Sequence, residues 1–182
     1  PEVQREAYRS YAEVLTLTLE RLAREAGLGI PEGETGVLAQ SVPEWPPFPE
    51  APEALAELRE RGWSLAVLSN VDKALIVESE KRLGVPIDLT ITAEDVGAYK
   101  PAPAHFERFF QLTTADRDCH VHVGASLFHD VAPANGLGLT SVWIDRGGAD
   151  SGAHAADATP DRELTDLSGL PDALDELVPA SS

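Results

Sequence analysis

Positive charge and cysteine are scarce in this sequence, and methionine does not occur in it. The chain of 182 residues has 14 Lys and Arg against 31 Asp and Glu, which gives a formal net charge of -17 at pH 7. Because nucleic acid and anionic membranes attract proteins with excess positive charge, we expect neither as a partner. The single cysteine, Cys119, excludes a disulfide within the chain and suits a cytoplasmic location, and we expect it to pack in the interior.

Long hydrophobic runs are missing as well. No apolar stretch approaches the length of a membrane span, and the N-terminus lacks the basic start and apolar centre of a signal peptide. The hydrophobic fraction of 43% and the charged fraction of 25% are those of a globular protein. Because the chain starts at Pro1 and contains no methionine, we expect it to be part of a longer translation product.

A proline-rich segment, residues 43–49, separates two parts with different patterns. Four of its seven residues are proline, a density that neither a helix nor a central strand tolerates. Before it, residues 3–26 carry apolar side chains at helical spacing, and residues 35–41 predict a shorter helix. We therefore expect a small α-helical unit at 1–42, a rigid connector at 43–49 and a second unit at 50–182. The apolar stripe of the first helix would also suit a homodimer.

The second unit alternates strand and helix patterns. The predicted strands are residues 63–68, 89–92, 120–123 and 140–144, and the predicted helices are residues 52–61, 72–83, 102–112 and 171–177, with a further helix after the third strand and a loop at 149–161. This order predicts an α/β fold with a Rossmann-like, doubly wound parallel sheet and flanking helices.

Polar residues follow the predicted strands, where open α/β sheets place their sites. Ser69 and Asn70 end the first strand; they would either cap the next helix or bind an anion at its N-terminus. Lys100 precedes a proline and is either a solvated surface residue or a cation aimed at the strand ends. Asp130 lies one helical turn after Ser126 and would complement a helix dipole, orient Lys100 or hold a divalent cation.

Histidines accompany these residues. His120 and His122 alternate along the third predicted strand and so share one of its faces, whereas Cys119 points the other way. With no second cysteine, we do not expect a zinc site there. His129, beside Asp130, is a weak candidate for a general base.

The order and spacing of these residues resemble the haloacid dehalogenase superfamily. Its second, third and fourth motifs match Leu68-Ser-Asn-Val71, Tyr99-Lys-Pro101 and the Gly-x-Ser-x-x-x-Asp pattern of residues 124–130. The flanking residues, such as 45–49 and 143–146, resemble in particular the type II haloacid dehalogenase-like group. The resemblance implies a helical cap at 1–42 and a Rossmann-like core at 50–182.

By this resemblance, the protein is a hydrolase that forms and then hydrolyses an aspartyl ester intermediate. Ser69, Asn70 and Ser126 would bind a small anionic substrate, Lys100 would pair with the nucleophile, and Asp130 would anchor Lys100 or help to activate water. The first motif of the family, an Asp-x-x-x-Thr loop that supplies the nucleophile, is absent from the sequence. We expect the missing strand to leave a gap in the sheet. Either the natural protein begins upstream of this chain, or the chain is a fragment without its own nucleophile.

Two departures from the family pattern bear on the substrate. Phosphatases of the superfamily carry a magnesium-binding aspartate where this chain has Ala125, which disfavours a phosphatase activity. The dehalogenases of the superfamily need no cofactor. The dehalogenases usually have a tyrosine where this chain has Phe106, so its hydroxyl is missing. We expect cleavage of a 2-haloacid or a related carboxylate without a cofactor. The alternatives are a Mg²⁺-dependent phosphomonoester phosphatase, with Asp130 as a metal ligand, and an inactive fragment or interaction protein.

Overall fold

Two parallel sheets form the centre of the protein in the computed structural model, which describes residues 8–147 and 157–179. The strands are β1 (Ala66–Ser69), β2 (Leu89–Thr92), β3 (Val121–Gly124), β4 (Thr140–Ile144) and β5 (Arg162–Leu164). The helices are α1 (Tyr11–Glu25), α2 (Val37–Ser41), α3 (Ala51–Glu60), α4 (Lys73–Leu83), α5 (Ala93–Val96), α6 (Ala104–Leu112), α7 (Ala132–Gly136) and α8 (Leu170–Leu177). The α/β class with parallel strands and flanking helices is confirmed.

Helix α1 begins at a capping box. The Ser10 hydroxyl accepts the Glu13 backbone N–H, and the Glu13 carboxylate accepts the Ser10 N–H. The helix ends before Gly27, which takes the left-handed conformation with φ +68. Of the helix predicted at 3–26, the structure shows residues 11–25 as helical and 8–10 as non-helical, while 3–7 lie outside the described residues. Helix α1 packs on α2 through a buried cluster of Leu15, Ala39 and Val42.

The proline-rich connector starts with a single turn and then runs extended. Val42–Glu44 forms a 3₁₀ turn, whereas a fully extended connector was predicted from its proline content. The Arg146 guanidinium, just after β4, lies 3.6 Å from the centre of the Phe48 ring and forms an ion pair with Glu50. These contacts attach the connector to the sheet that contains β4.

Strand pairing is interrupted between β1 and β3. Strand β1 pairs with β2, and β3 pairs with β4, which pairs with β5; in the described part of the chain no pairing joins the two sheets. Helix α6 links them instead. Its His105 Nε2–H donates to the Ser69 carbonyl oxygen at 3.0 Å, and its Phe106 packs with Leu68 and lies against the His122 ring, 4.7 Å between centroids.

The main apolar core lies on the three-stranded sheet. Leu58 from α3, Val142 and Ile144 from β4, and Leu170 and Leu174 from α8 are all buried in one cluster. Burial of this kind contributes about 25 cal/mol per Å² of apolar surface and holds α3 and α8 against β4. No helix within residues 8–147 and 157–179 is long and apolar enough to cross a bilayer.

The structure corrects the prediction in four respects. The sequence pattern predicts four strands, but the three residues of β5 form a fifth. The single turn of α5 was not predicted, and the first strand was predicted to begin at residue 63, whereas it begins at Ala66. Cys119 is exposed, not packed in the interior, because it ends a surface 3₁₀ turn at Arg117–Cys119. Residues 148–156 of the loop predicted at 149–161 lie outside the described residues.

Candidate active site

A buried ion pair joins the two sheets at the carboxyl ends of their strands. Lys100 Nζ lies 2.6 Å from Asp130 Oδ1, and the two residues are only 9% and 8% exposed. The same carboxylate oxygen lies 3.4 Å from His122 Nε2, and Asp130 Oδ2 accepts the Ser126 backbone N–H at 3.1 Å. Both carboxylate oxygens therefore have donors, as a buried charge requires.

The electrostatics keep Asp130 charged. Burial alone would raise the pKa of Asp130, but the hydrogen bond from His122 and the positive charge of Lys100 outweigh it and hold the pKa below its usual range. Burial lowers the pKa of His122, so this ring is neutral at pH 7 and donates Nε2–H to the carboxylate. The site thus contains one fixed negative charge and one fixed positive charge.

A glycine and a wide helical turn bring Asp130 to this position. After Ser126 the chain forms a π-type turn, Leu127–Val131, in which the Ser126 carbonyl accepts the N–H groups of Asp130 and Val131. A Cβ atom on Gly124 would lie 2.3 Å from the Asp130 Cβ and 2.6 Å from its Oδ2. Only glycine at 124 leaves room for the carboxylate.

Asn70 aligns the backbone of the lysine. Its Oδ1 accepts the Lys100 N–H at 2.7 Å, and its Nδ2 donates to the Lys100 carbonyl at 3.2 Å. The Ser69 hydroxyl accepts the Val71 N–H at 3.1 Å. The structure therefore brings Asn70 and Lys100 together at the end of β1, while binding of a substrate anion by Ser69 and Asn70 stays a prediction.

Ser126 also lies at the site. It caps the wide helical turn, since its hydroxyl accepts the His129 N–H, and the same oxygen lies 3.1 Å from His129 Nδ1. The structure thus brings Lys100, Asp130 and Ser126 into one group. Their roles in catalysis and in substrate binding stay predictions.

Three residues at or near the site have roles that the sequence did not predict. His105 is fully buried and donates a hydrogen bond to the Ser69 carbonyl. Asp72 accepts backbone N–H groups at the start of α1, and the Tyr99 hydroxyl donates to the Arg9 carbonyl just before that helix. Asp72 directly follows the recognised motif Leu68-Ser-Asn-Val71, and Tyr99 is part of the recognised motif Tyr99-Lys-Pro101 but was given no role there. No periodic signal marked His105.

Two histidines, half-buried His120 and buried His122, lie just before β3 and within it. His120 lies among Phe109, Phe110 and His122, with ring centroids 4.8, 5.3 and 6.4 Å away. Two histidine nitrogens, His105 Nδ1 and His120 Nε2, are buried without a hydrogen-bond partner among the described residues. Burial lowers the pKa of both rings to about 4.

We expect these histidines to destabilise the fold in acid. Above pH 6.5, the pKa of histidine in the unfolded chain, the His105 and His120 rings are neutral in the folded and the unfolded state. As the pH falls towards about 4, these rings bind protons in the unfolded chain but stay neutral in the folded protein, so unfolding becomes more favourable. Each ring thus costs up to about 3 kcal/mol of unfolding free energy across that range. Urea unfolding at a series of pH values measures the slope. A His120→Phe variant, whose ring suits the aromatic surroundings, should show a shallower slope; an unchanged slope would contradict this account.

The described residues do not by themselves form a magnesium site. Magnesium requires several oxygen ligands, but Ala125 presents a methyl group and the Asp130 carboxylate is occupied by the Lys100 ammonium. Within the described ranges, no group of three or more His, Cys, Asp or Glu residues is arranged to hold a metal ion.

The chain is similar to hydrolases of two kinds. It is 32% identical over 122 residues to a ribulose-1,5-bisphosphate 5-phosphatase of Halopiger xanaduensis, a match that covers 66% of this chain and 51% of the phosphatase. It is 29% identical over 162 residues to an (S)-2-haloacid dehalogenase of Pseudomonas sp. (strain YL), covering 88% of this chain and 68% of the dehalogenase. The chain thus spans from about half to just over two thirds of the length of these relatives.

A solved structure shows the same fold. The L-2-haloacid dehalogenase of Xanthobacter autotrophicus, with chloropropionic acid covalently bound, superposes with a TM-score of 0.79 at 20% identity, covering 92% of this chain and 76% of that one. The family profile of haloacid dehalogenase-like hydrolases matches residues 3–138. The chain therefore belongs to the haloacid dehalogenase-like hydrolase family.

Proposed function

We propose that this chain forms the anion-binding and lysine-bearing part of a metal-independent hydrolase that acts on a 2-haloacid or a related small carboxylate. The observation that carries the proposal is the buried Lys100–Asp130 pair beside Ala125. A lysine held at 2.6 Å from a carboxylate supplies fixed positive charge for an anionic substrate and nucleophile without a metal ion. The similarity to an (S)-2-haloacid dehalogenase supports the same substrate class.

The reaction would proceed in two displacements. A carboxylate attacks C2 of the haloacid, the carbon–halogen bond breaks and halide leaves, so that an ester joins protein and substrate. Water then attacks the ester, which releases a 2-hydroxy acid and a proton and restores the carboxylate. Lys100 would hold the carboxylate and the intermediate, and Ser69 and Ser126 would contact the substrate anion. Asp130 is fully bonded to Lys100, His122 and Ser126, so it would orient the lysine.

This chemistry requires a nucleophile from outside the described residues. The only carboxylate that the structure places at Lys100, within the described residues, is Asp130. The interruption between β1 and β3 lies beside the ion pair. We propose that a strand seated between β1 and β3 would carry the nucleophilic carboxylate to Lys100.

A magnesium-dependent phosphatase is the second candidate. The similarity to a ribulose-1,5-bisphosphate 5-phosphatase, at 32% identity, favours it. On this alternative, a carboxylate at a position other than Ala125 would have to help hold the cation. Lys100 and Ser69 would then contact a phosphoryl group in place of a carboxylate.

The activity of the full-length gene product separates the two candidates. We expect chloride release from 2-chloropropionate that is unaffected by a chelator, and no phosphate release from an aryl phosphate with magnesium. Lys100→Met should abolish chloride release, whereas Lys73→Met, a change at an exposed lysine, should not. Phosphate release that depends on magnesium would overturn the proposal in favour of a phosphatase. Absence of both reactions would also overturn it.

A further inference from the structure

The start of α1 is bound by side chains from the two segments that carry the site. One is Asp72, two residues after Asn70, and the other is Tyr99, immediately before Lys100. Because Asn70 and Lys100 are themselves joined by two hydrogen bonds, these contacts form a closed ring that includes the first turn of α1.

Asp72 serves a helix other than its own. It occupies the N-cap position of α4, yet its side chain does not cap that helix. Its two carboxylate oxygens instead accept the N–H groups of Tyr11 and Ala12, at 2.7 and 2.9 Å. The first N–H groups of a helix lack partners within it and favour negative charge, so this pairing is strong. The N–H groups of Tyr11 and Ala12 are therefore occupied by Asp72.

Tyr99 holds the same turn from the other side. Its hydroxyl donates to the Arg9 carbonyl at 2.7 Å, and its ring lies 5.7 Å from the Tyr8 ring. The residue is 7% exposed and packs against Val14 and Ala93. Burial raises the pKa of Tyr99 above its usual value, so the hydroxyl keeps the proton that it donates.

We infer that Asp72 and Tyr99 are positioning residues that fix the start of α1 relative to Asn70 and Lys100, and that they thereby set how tightly the site binds its carboxylate substrate. This inference rests on the proposed function. The bonds to α1 keep the helix in one place beside the site, so the space for the substrate is formed before binding. Loosening the helix adds an ordering cost to binding and leaves the reacting groups unchanged.

Steady-state kinetics of the full-length product on 2-chloropropionate test the inference. Asp72→Asn keeps the shape of the side chain but turns an amide N–H towards one of the two donors, and Tyr99→Phe removes one hydrogen bond. We expect each variant to raise KM about tenfold, with kcat changed by less than about twofold. The control is Glu13→Gln, which makes the same charge change at the same helix end, but the Glu13 carboxylate accepts its hydrogen bonds from Ser10 and not from the Tyr11 or Ala12 N–H groups. Its KM and kcat should stay within about twofold.

Equal effects of Asp72→Asn and Glu13→Gln on KM would overturn the inference, because general weakening of α1 would then explain both. A fall in kcat with unchanged KM would overturn it too. Amide hydrogen exchange gives a readout that does not depend on activity: the Tyr11 and Ala12 amides should be protected in the wild type and exchange faster in Asp72→Asn than in Glu13→Gln. If the Tyr11 and Ala12 amides of the wild type are protected but the protein does not act on 2-chloropropionate, only the proposed function is overturned. If these amides are not protected, the inference is overturned whether or not the protein is active.

Discussion

Replacing Lys100 with methionine should lower the free energy of unfolding by about 3 to 5 kcal/mol, because the Asp130 carboxylate would be left buried without its cation. Methionine has a similar length and fills the same space, so the loss would come from charge and not from a cavity. Urea unfolding at pH 7, followed by circular dichroism, measures it. The loss should shrink as the pH falls, since without the lysine the pKa of Asp130 rises and the folded state can bind a proton.

Two further variants separate this effect from general damage. Lys73→Met removes the ion pair with Asp95, in which the lysine side chain is 64% exposed, and should change the unfolding free energy by less than about 1 kcal/mol. Combining Lys100→Met with Asp130→Asn removes the buried charge as well as its partner and should recover much of the stability. If Lys100→Met cost no more than Lys73→Met, the pair would not be a buried charge pair in solution.

Gly124→Ala should destabilise the protein by about 3 kcal/mol and break the site. The new methyl group would lie 2.3 Å from the Asp130 Cβ, a distance that real Cβ atoms do not adopt, so Asp130 must move away from Lys100. Unlike a change at the lysine, this variant keeps both charges and alters only the space between them. Thermal unfolding and an NMR titration of Asp130 measure the two consequences, and we expect the pKa of that carboxyl to rise.

Gly136→Ala is the matched control. Gly136 ends α7, and a Cβ there would meet no atom within 4 Å. This change should be neutral or stabilise by up to about 1 kcal/mol, because alanine reduces the freedom of the unfolded chain. A Gly124→Ala variant as stable as Gly136→Ala would show that the turn at Asp130 adapts to a methyl group.

Much of the fold could be predicted because β1, β2 and β4 consist mostly of apolar or β-branched residues. The predicted bounds of β2 and β4 agree with the structure to the residue. Strand β5 was missed because Arg162 and Glu163 are polar. It lies at the edge of its sheet and pairs with β4, so it carries no apolar pattern that marks a buried strand. Helix α5 was missed because four residues are too few to show a helical hydrophobic period. The capping box of Thr92 and Asp95 was the available sequence signal for it.

The site could be predicted only as far as local motifs reach. Lys100 and Asp130 were recognised one by one, and their 2.6 Å contact was one of several alternatives until the structure placed them together. Asp72 looked like the start of a helix, since an aspartate at an N-cap usually bonds to its own helix. Its actual partners, Tyr11 and Ala12, lie 61 and 60 residues away in sequence. Such contacts depend on how the helices pack, which no local pattern contains.

The two hydrogen bonds between the Asn70 amide and the Lys100 backbone couple the effects of substitutions at these two positions. A substitution at Asn70 moves the lysine, so its effect on activity would mix any lost substrate contact with a displaced ammonium group. The effects of substitutions at the two positions would then fail to add, as expected for residues in one hydrogen-bond network. In a population of related sequences, tolerated changes at 70 and 100 should occur together.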